Sequence, residues 1–229
     1  MSRQTELITA LDVPTREEAL AAVERCGRCA WFKVGLQLYT RYGPDIAHAV
    51  RQAGKQLFLD LKFHDIPNTV KHAVESSIAL DAGLLTIHAS GGRAMIAAAR
   101  EAAEGTNTRI LAVTVLTSIS EAALRGEVGM PETPEQAVRR LASLAVDSGA
   151  HGIVCSPLEI TAVREAVGPD ALIVTPGIRP AWAAANDQAR IMTPADARAA
   201  GADYIVVGRP ILGHENPAEA VDLIQDELN

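Results

Sequence analysis

The segment Gln56–Asp65, QLFLDLKFHD, decides the fold prediction because it joins an apolar strand to a cluster of charges. Side chains alternate between the two faces of a strand, so Asp60 and Lys62 are expected on the same face. Pro67 forces an extended backbone before it and then suits the first turn of a helix, which lets Asp65 turn back toward that face. Each unpaired buried ion costs on the order of several kcal/mol, so these charges should neutralise one another or receive a charged ligand.

The same succession of apolar strand and polar end recurs along the 229 residues. Eight strands are predicted: Leu7 to Val13, Trp31 to Leu36, Gln56 to Phe63, Leu84 to Ala89, Arg109 to Leu116, Gly152 to Ser156, Leu172 to Pro176 and Asp203 to Gly208. Helices are predicted between them: Thr15 to Arg25, Leu38 to Ala53, Asn68 to Ala82, Arg93 to Ala103, Pro134 to Ser148, and three more after Pro157, Pro194 and Pro217. Eight βα units favour a closed (β/α)8 TIM barrel, and an open doubly wound sheet is the alternative.

Composition indicates one domain over residues 1–229, because no linker or low-complexity run divides the chain and 48% of it is hydrophobic. The net charge of −7 argues against a general nucleic-acid binder, so any anion site must be local. The segment Met1–Asp12 does not resemble a secretory signal, and no apolar run approaches membrane-spanning length, which predicts a cytoplasmic protein. The spacing of Cys26 and Cys29 is compatible with a redox dithiol or half a zinc site, but the absence of completing ligands favours a structural role.

Polar residues cluster where the predicted strands end: Asp12, Lys33, Asp60, Lys62, His88, Thr117, Ser156, Thr175 and Arg209. In a barrel these ends surround one mouth, where active sites are built. The longest βα connections, Thr117 to Pro134 and Gly177 to Pro194, are candidate lids or ligand clamps.

Lys62 is a candidate general acid because flanking carboxylates stabilise the ammonium that would donate a proton. Lys33 is a candidate second cation beside Asp60, and a purely structural ion-pair network is the alternative for this cluster. Gly208 and Arg209, with the segments Gly177 to Arg179 and Asn186 to Gln188, would supply donors for a phosphate after the last two strands.

His88 is interpreted as a hydrogen-bonded structural histidine, and the histidines form no convincing metal cluster with it. No P-loop or dinucleotide fingerprint follows the first strand. We therefore expect a site without metal or organic cofactor.

Six segments resemble the bacterial type of orotidine 5'-phosphate decarboxylase: ALD at Ala10–Asp12, FKVGL at Phe32–Leu36, DLKFHDIPNTV at Asp60–Val70, VTVLTS at Val113–Ser118, TPGIR at Thr175–Arg179 and VVGRP at Val206–Pro210. The resemblance implies a barrel that converts orotidine 5'-monophosphate to uridine 5'-monophosphate and carbon dioxide in pyrimidine synthesis, without cofactor or metal. It also implies that Lys62 protonates C6 of the pyrimidine and that Asp60 lies beside the departing carboxylate.

The resemblance further implies a homodimer with shared active sites, in which Asp65 and Thr69 reach into the site of the neighbouring subunit. Lys33 and Asp12 would bind the ribose hydroxyls, and Thr117 would lie near the base. The implied phosphate ligands are Arg179, Gln188, Gly208 and Arg209.

Two other functions compete with this interpretation. A magnesium-dependent sugar-phosphate decarboxylase or lyase of the same superfamily also carries Asp-x-Lys-x-x-Asp, but that branch typically has an acidic residue on strand two, where this chain has Lys33. A catalytically silent nucleotide-binding protein on the same scaffold is the second alternative. The presence of both Lys62 and Asp65 argues against it.

Overall fold

The computed structural model describes residues 4–183 and 192–229, which form a closed barrel of eight parallel strands. The strands follow one another around the barrel in chain order, and the first strand pairs with the eighth from Glu6 opposite Tyr204 to Thr9 opposite Val207. This last pairing closes the sheet, so the (β/α)8 TIM barrel is confirmed and the open-sheet alternative is wrong. No helix among the described residues is long and apolar enough to cross a membrane.

The strands are β1 Glu6–Ala10, β2 Trp31–Gly35, β3 Gln56–Phe63, β4 Leu84–His88, β5 Arg109–Val113, β6 Gly152–Val154, β7 Leu172–Thr175 and β8 Tyr204–Val207. All eight lie where the sequence predicts them, but several predicted ends run past the last residue of the ladder. The segments after β1 and β5 show why, because Leu11 and Val115 are buried although they lie beyond the strands. Apolar residues therefore continue into the loops at the barrel mouth.

The helices are α1 Arg16–Arg25, α2 Leu36–Tyr42, α3 Pro44–Gln52, α4 Pro67–Ile78, α5 Gly92–Ala102, α6 Glu121–Gly126, α7 Pro134–Asp147, α8 Ile160–Val167, α9 Pro194–Ala200, α10 Arg209–Leu212 and α11 Pro217–Glu227, and short 3₁₀ turns lie at Ala89–Gly91 and Pro157–Glu159. The single helix predicted from Leu38 to Ala53 is wrong. The helix is interrupted at Gly43, whose φ of 59° lies in the left-handed region, and Pro44 has no N–H to continue the helix.

The long connection predicted from Thr117 to Pro134 contains the short helix α6. Ser120 caps it, because its hydroxyl oxygen accepts a hydrogen bond from the N–H of Ala123 at 3.2 Å. This connection is therefore partly ordered by local capping.

The core has two layers because alternate strand residues point into and out of the barrel. The interior is filled by Ile8, Ala10, Phe58, Leu84, Leu111, Val174 and Val206. The larger layer lies between strands and helices and includes Cys26 and Cys29, which are buried free thiols. Burial, together with the nearby Cys29, raises the pKa of Cys26 to about 11. In the described chain, no group of three or more His, Cys, Asp or Glu side chains could hold a metal ion.

His151 lies beside the amino-terminal end of β5, opposite the barrel mouth. Its Nδ1 atom accepts a hydrogen bond from the backbone N–H of Ile110 at 2.9 Å, which requires an unprotonated nitrogen. Burial, aided by the positive charges of Arg100 and Arg109, lowers the pKa of His151 to about 4. The neutral imidazole is thus part of the folded structure.

Candidate active site

A cavity of about 310 Å³ opens at the carboxyl ends of the strands. This is the end of a TIM barrel at which active sites are built. The lining includes most of the residues that the sequence singles out for catalysis or binding: Asp12, Lys33, Asp60, Lys62, Thr117, Arg179, Gly208 and Arg209. Residues distant in sequence therefore meet in one place.

The pairing of strand β3 with β4 is irregular near the cavity. The pairing steps from Leu59 opposite Leu85 to Phe63 opposite Ile87, so β3 uses more residues than β4 over this step. Lys62 lies in this bulge and has a φ of 52°, an uncommon value for a residue other than glycine. Asp60 and Lys62 both line the cavity, as their alternation predicts, but the bulge rather than a regular strand sets the direction of Lys62.

Four charged side chains that line the cavity alternate in sign: Asp12, Lys33, Asp60 and Lys62. The Lys62 Nζ atom lies 2.8 Å from Asp60 Oδ1, and the Lys33 Nζ atom lies 3.6 Å from Asp60 Oδ2. Lys33 also donates to Asp12 Oδ1 at 3.1 Å. The Asp60 and Lys33 side chains are each 12% exposed, whereas Asp12 is 63% exposed. A buried carboxylate is thus held between two ammonium groups.

Asp60 stays ionised in this setting. Burial raises the pKa of its carboxyl group, but the positive charges of Lys33 and Lys62 and hydrogen bonds from Lys62 and Thr86 outweigh that effect. The net result is a pKa below the ordinary value for aspartate. The carboxylate consequently provides a fixed negative charge that orients the Lys62 ammonium.

Two arginines also line this cavity. Arg179 follows β7 and is buried, and Arg209 follows Gly208 after β8 and is exposed. The backbone N–H of Arg179 donates to the carbonyl of Met192 at 2.9 Å, which fixes the start of this loop. Paired guanidinium groups after the last two strands suit a phosphate. Gln188, predicted to join them, lies outside the described residues, as do Asn186 and Asp187.

The cavity lining also includes apolar side chains. Phe58, Val113, Val115 and Val154 contribute to it, with Thr117 beside them. A cavity lined by apolar side chains together with ammonium and guanidinium groups suits an organic ligand that carries anionic groups.

Asp65 and Thr69 differ from the other predicted residues in their position. Both are exposed, and neither belongs to the cavity lining among the residues that the structure describes. Asp65 Oδ1 accepts a hydrogen bond from the adjacent Ile66 N–H at 2.6 Å. The side chain of Ile66 is itself 66% exposed. Within one chain, then, this carboxylate is not brought into the charge cluster.

Residues 5–224 match the profile of the Orotidine 5'-phosphate decarboxylase / HUMPS family. The chain belongs to this family. Orotidine 5'-phosphate decarboxylase from Heliobacterium modesticaldum is 48% identical over 236 residues, covering 100% of this chain and 97% of that protein. The enzyme of the same name from Anaeromyxobacter sp. strain K is 52% identical over 229 residues, with 98% of each chain covered.

A solved structure of an orotidine 5'-phosphate decarboxylase agrees with the barrel. The crystal structure of orotidine 5'-phosphate decarboxylase from Lactobacillus acidophilus aligns with a TM-score of 0.89 at 38% sequence identity. The alignment covers 98% of this chain and 99% of that one. The structural similarity therefore agrees with the family assignment made from the sequence.

Other polar residues at strand ends, within the described part of the chain, do not line the cavity and make contacts elsewhere. His88 packs against His64 with ring centroids 5.3 Å apart, and burial, with His64 and Lys62, lowers the pKa of His88. The Ser156 N–H donates to Glu159 Oε2 at 2.9 Å in a capping arrangement. The Thr175 hydroxyl donates to the Cys155 carbonyl at 3.0 Å. A polar residue at the end of a strand thus indicates where the barrel mouth is, but it does not show that the residue lines the cavity.

Sequence reasoning missed Thr86, a buried residue of β4 that contacts both Asp60 and Lys62. The available signal was a single hydroxyl within the apolar segment Leu84–His88. Such a hydroxyl needs hydrogen-bond partners when buried, but the sequence does not say which ones.

Proposed function

We propose that this chain converts orotidine 5'-monophosphate to uridine 5'-monophosphate and carbon dioxide, as a single-domain cytoplasmic enzyme of pyrimidine biosynthesis that needs no metal or organic cofactor. Family membership and the relatives' names support the reaction. The structural observation that carries the proposal is the Lys62 ammonium, 2.8 Å from the buried Asp60 carboxylate, in a cavity that also contains Arg179 and Arg209.

The chemical step breaks the bond between C6 of the pyrimidine and its carboxylate carbon. Carbon dioxide leaves, and the bonding electron pair stays on C6. A new C–H bond forms at C6 with a proton from Lys62 Nζ, which regains a proton from solvent. This sequence balances atoms and charge, and it assigns Lys62 the role of general acid.

Electrostatic stabilisation accounts for the acceleration in this proposal. The negative charge concentrates at C6 in the transition state, so a preoriented ammonium interacts with it more strongly than with the diffuse carboxylate of the substrate. Asp60 orients that ammonium and lies beside the departing carboxylate. Because its pKa lies below the ordinary value, Asp60 enters the reaction already ionised.

The remaining cavity residues would bind the parts of the nucleotide that do not react. We assign Asp12 and Lys33 to the ribose hydroxyls, Thr117 to the base, and Arg179, Gln188, Gly208 and Arg209 to the phosphate. Binding energy from the phosphate can then help to assemble the site around the pyrimidine.

The magnesium-dependent branch of the superfamily is less compatible with the charge arrangement. The Lys33 Nζ atom lies 3.1 Å from Asp12 and 3.6 Å from Asp60, at the strand-two position where that branch typically has an acidic residue. Binding a cation there would place it beside an ammonium group. A silent nucleotide-binding protein would not need the close pairing of Lys62 with Asp60 in order to bind its ligand, so this pairing argues against that alternative.

A spectrophotometric assay with orotidine 5'-monophosphate, with and without a chelator, tests the proposed reaction. We expect turnover that the chelator does not change. Turnover that is lost with chelator and restored by magnesium would favour the metal-dependent branch. Nucleotide binding without turnover would favour the silent binding protein.

We also propose that the working unit is a homodimer with shared sites. Asp65 and Thr69 are exposed beside the mouth, the adjacent apolar side chain of Ile66 is 66% exposed, and that of Leu36, which directly follows β2, is 54% exposed. A second copy of the chain would cover these apolar groups and receive Asp65.

Mixing two inactive variants tests the shared site. In a mixed dimer of Lys62→Ala and Asp65→Ala subunits, one site has both intact groups and the other has neither. With free exchange at equal amounts, roughly one quarter of the wild-type activity should return, from the statistics of a two-fold dimer. Each variant alone is the control. No recovery after confirmed subunit exchange would contradict the proposal.

A further inference from the structure

We propose that Thr86 is a positioning residue that fixes the backbone of Lys62 and the carboxylate of Asp60 relative to each other. This inference deepens, and for its kinetic part rests on, the proposed decarboxylase function. Thr86 is fully buried on β4. Within residues 4–183 and 192–229 it is not part of the cavity lining, so it acts through its two neighbours and not on the substrate.

The register of the sheet places Thr86 opposite the bulge in β3. It lies between Leu85 and Ile87, whose partners Leu59 and Phe63 are separated by the bulged residues. A bulge interrupts the regular ladder of backbone hydrogen bonds, so donors within it need other acceptors. The Thr86 side chain is the group on β4 that faces this interruption.

The hydroxyl of Thr86 makes two directed hydrogen bonds. Its Oγ1 atom accepts from the backbone N–H of Lys62 at 2.9 Å and donates to Asp60 Oδ1 at 2.9 Å. The same Asp60 oxygen accepts from Lys62 Nζ at 2.8 Å. The three bonds form a closed circuit from the Lys62 backbone, through threonine and aspartate, back to the Lys62 ammonium. Hydrogen bonds linked in this way polarise one another in a buried setting.

This circuit gives a reason for the backbone conformation of Lys62. A lysine with φ of 52° lies in the left-handed region, which persists only where the surroundings determine it. The hydrogen bond to Thr86 holds the N–H at the start of that residue, and the salt bridge to Asp60 holds its other end. Thr86 thereby determines where the proton donor points.

Replacing Thr86 by valine keeps the shape but removes both hydrogen bonds. We expect Thr86→Val to lower kcat by roughly 10- to 100-fold, the range for losing a hydrogen bond to a charged group. KM and the affinity for uridine 5'-monophosphate should change little, because the cavity wall is intact. Thr86→Ser, which restores the hydroxyl, should recover most of kcat.

Thr108→Val is the matched control. The Thr108 hydroxyl is also buried and donates to the Ala82 carbonyl at 2.8 Å, before β5 at the opposite end of the barrel. It should lower the melting temperature without lowering kcat. Equal losses of kcat in Thr86→Val and Thr108→Val would show a general structural effect and overturn the inference, as would wild-type kcat in Thr86→Val.

A carboxyl ¹³C NMR titration of Asp60 tests the contact without turnover. Asp60 faces Lys33 and Lys62, with His88 within electrostatic reach, and the hydroxyl of Thr86 adds to the effects that lower its pKa. Thr86→Val should raise the pKa of Asp60, and the acid limb of the pH profile of kcat should move the same way. An unchanged titration would refute the contact.

The two readouts separate failure of the inference from failure of the proposed function. If the wild-type chain does not turn over orotidine 5'-monophosphate, the proposed reaction is wrong, and the titration still decides the role of Thr86. If the wild type is active and Thr86→Val matches it, only the inference is wrong. Should Thr86→Val not fold, Thr86→Ala removes the same hydroxyl and gives the same two measurements.

Discussion

Replacing Arg209 by alanine should weaken binding of the nucleotide phosphate without affecting the nucleoside. Arg209 lines the cavity after β8 and is exposed, so its truncation leaves the barrel core unchanged. Hydrogen bonds to charged groups contribute about 1.5–3 kcal/mol, which corresponds to a roughly 10- to 100-fold higher Kd for uridine 5'-monophosphate. The loss should not be complete, because the buried Arg179 lines the same cavity.

Isothermal titration calorimetry of uridine 5'-monophosphate and uridine with each protein measures this effect. Arg28→Ala is the matched control, because Arg28 pairs with Asp222 away from the barrel mouth. We expect Arg209→Ala to lose affinity for the nucleotide only and Arg28→Ala to bind both ligands normally. Unchanged nucleotide affinity in Arg209→Ala, or an equal loss for uridine, would refute the phosphate assignment.

Three further predictions concern the charge cluster, the opposite end of the barrel and the buried thiols. Lys62→Ala should lower kcat by at least roughly 10⁴-fold while nucleotide affinity persists, because it removes both the acid and its charge; near-normal turnover would contradict this. Unfolded His151 binds a proton near pH 6.5 and folded His151 only near pH 4, so stability should fall as pH decreases through this window. Since the ring is partly exposed, the free energy of unfolding should decrease by roughly 1–2 kcal/mol over this window, as measured by denaturant titrations. If the His151→Gln variant showed the same pH dependence as the wild type, His151 would not be its cause. The thiol of Cys26, with its pKa of about 11, should resist alkylation at pH 8 until the protein unfolds, and rapid labelling of the native protein would show otherwise.

The strands were predictable because each is a short apolar run that ends in polar residues at the mouth. Burial on both sides of a barrel strand leaves such runs nearly unbroken, as Leu57 to Leu59 illustrate. The break between α2 and α3 was signalled by Gly43 and Pro44, but the apolar period continues across it. Periodicity therefore located the helical region and missed the change of direction.

The cavity residues were predictable to the extent that they lie at strand ends. Asp12 and Lys33 meet because β1 pairs with β2, whereas Arg209 joins them only because β8 pairs with β1 and closes the sheet, a property that no local pattern shows. The bulge at Lys62 and the contact of Thr86 depend on the register between β3 and β4, which the sequence of either strand alone does not determine.

In the proposed reaction, Lys62 exchanges a proton with C6 of the pyrimidine. By microscopic reversibility, the group that protonates C6 must also remove that proton, so the enzyme should exchange the C6 hydrogen of uridine 5'-monophosphate in D₂O. Proton NMR of the C6 signal measures this exchange directly. We predict loss of the signal with the wild-type chain and its persistence with Lys62→Ala and with no enzyme. Exchange by Lys62→Ala at the wild-type rate would contradict the account.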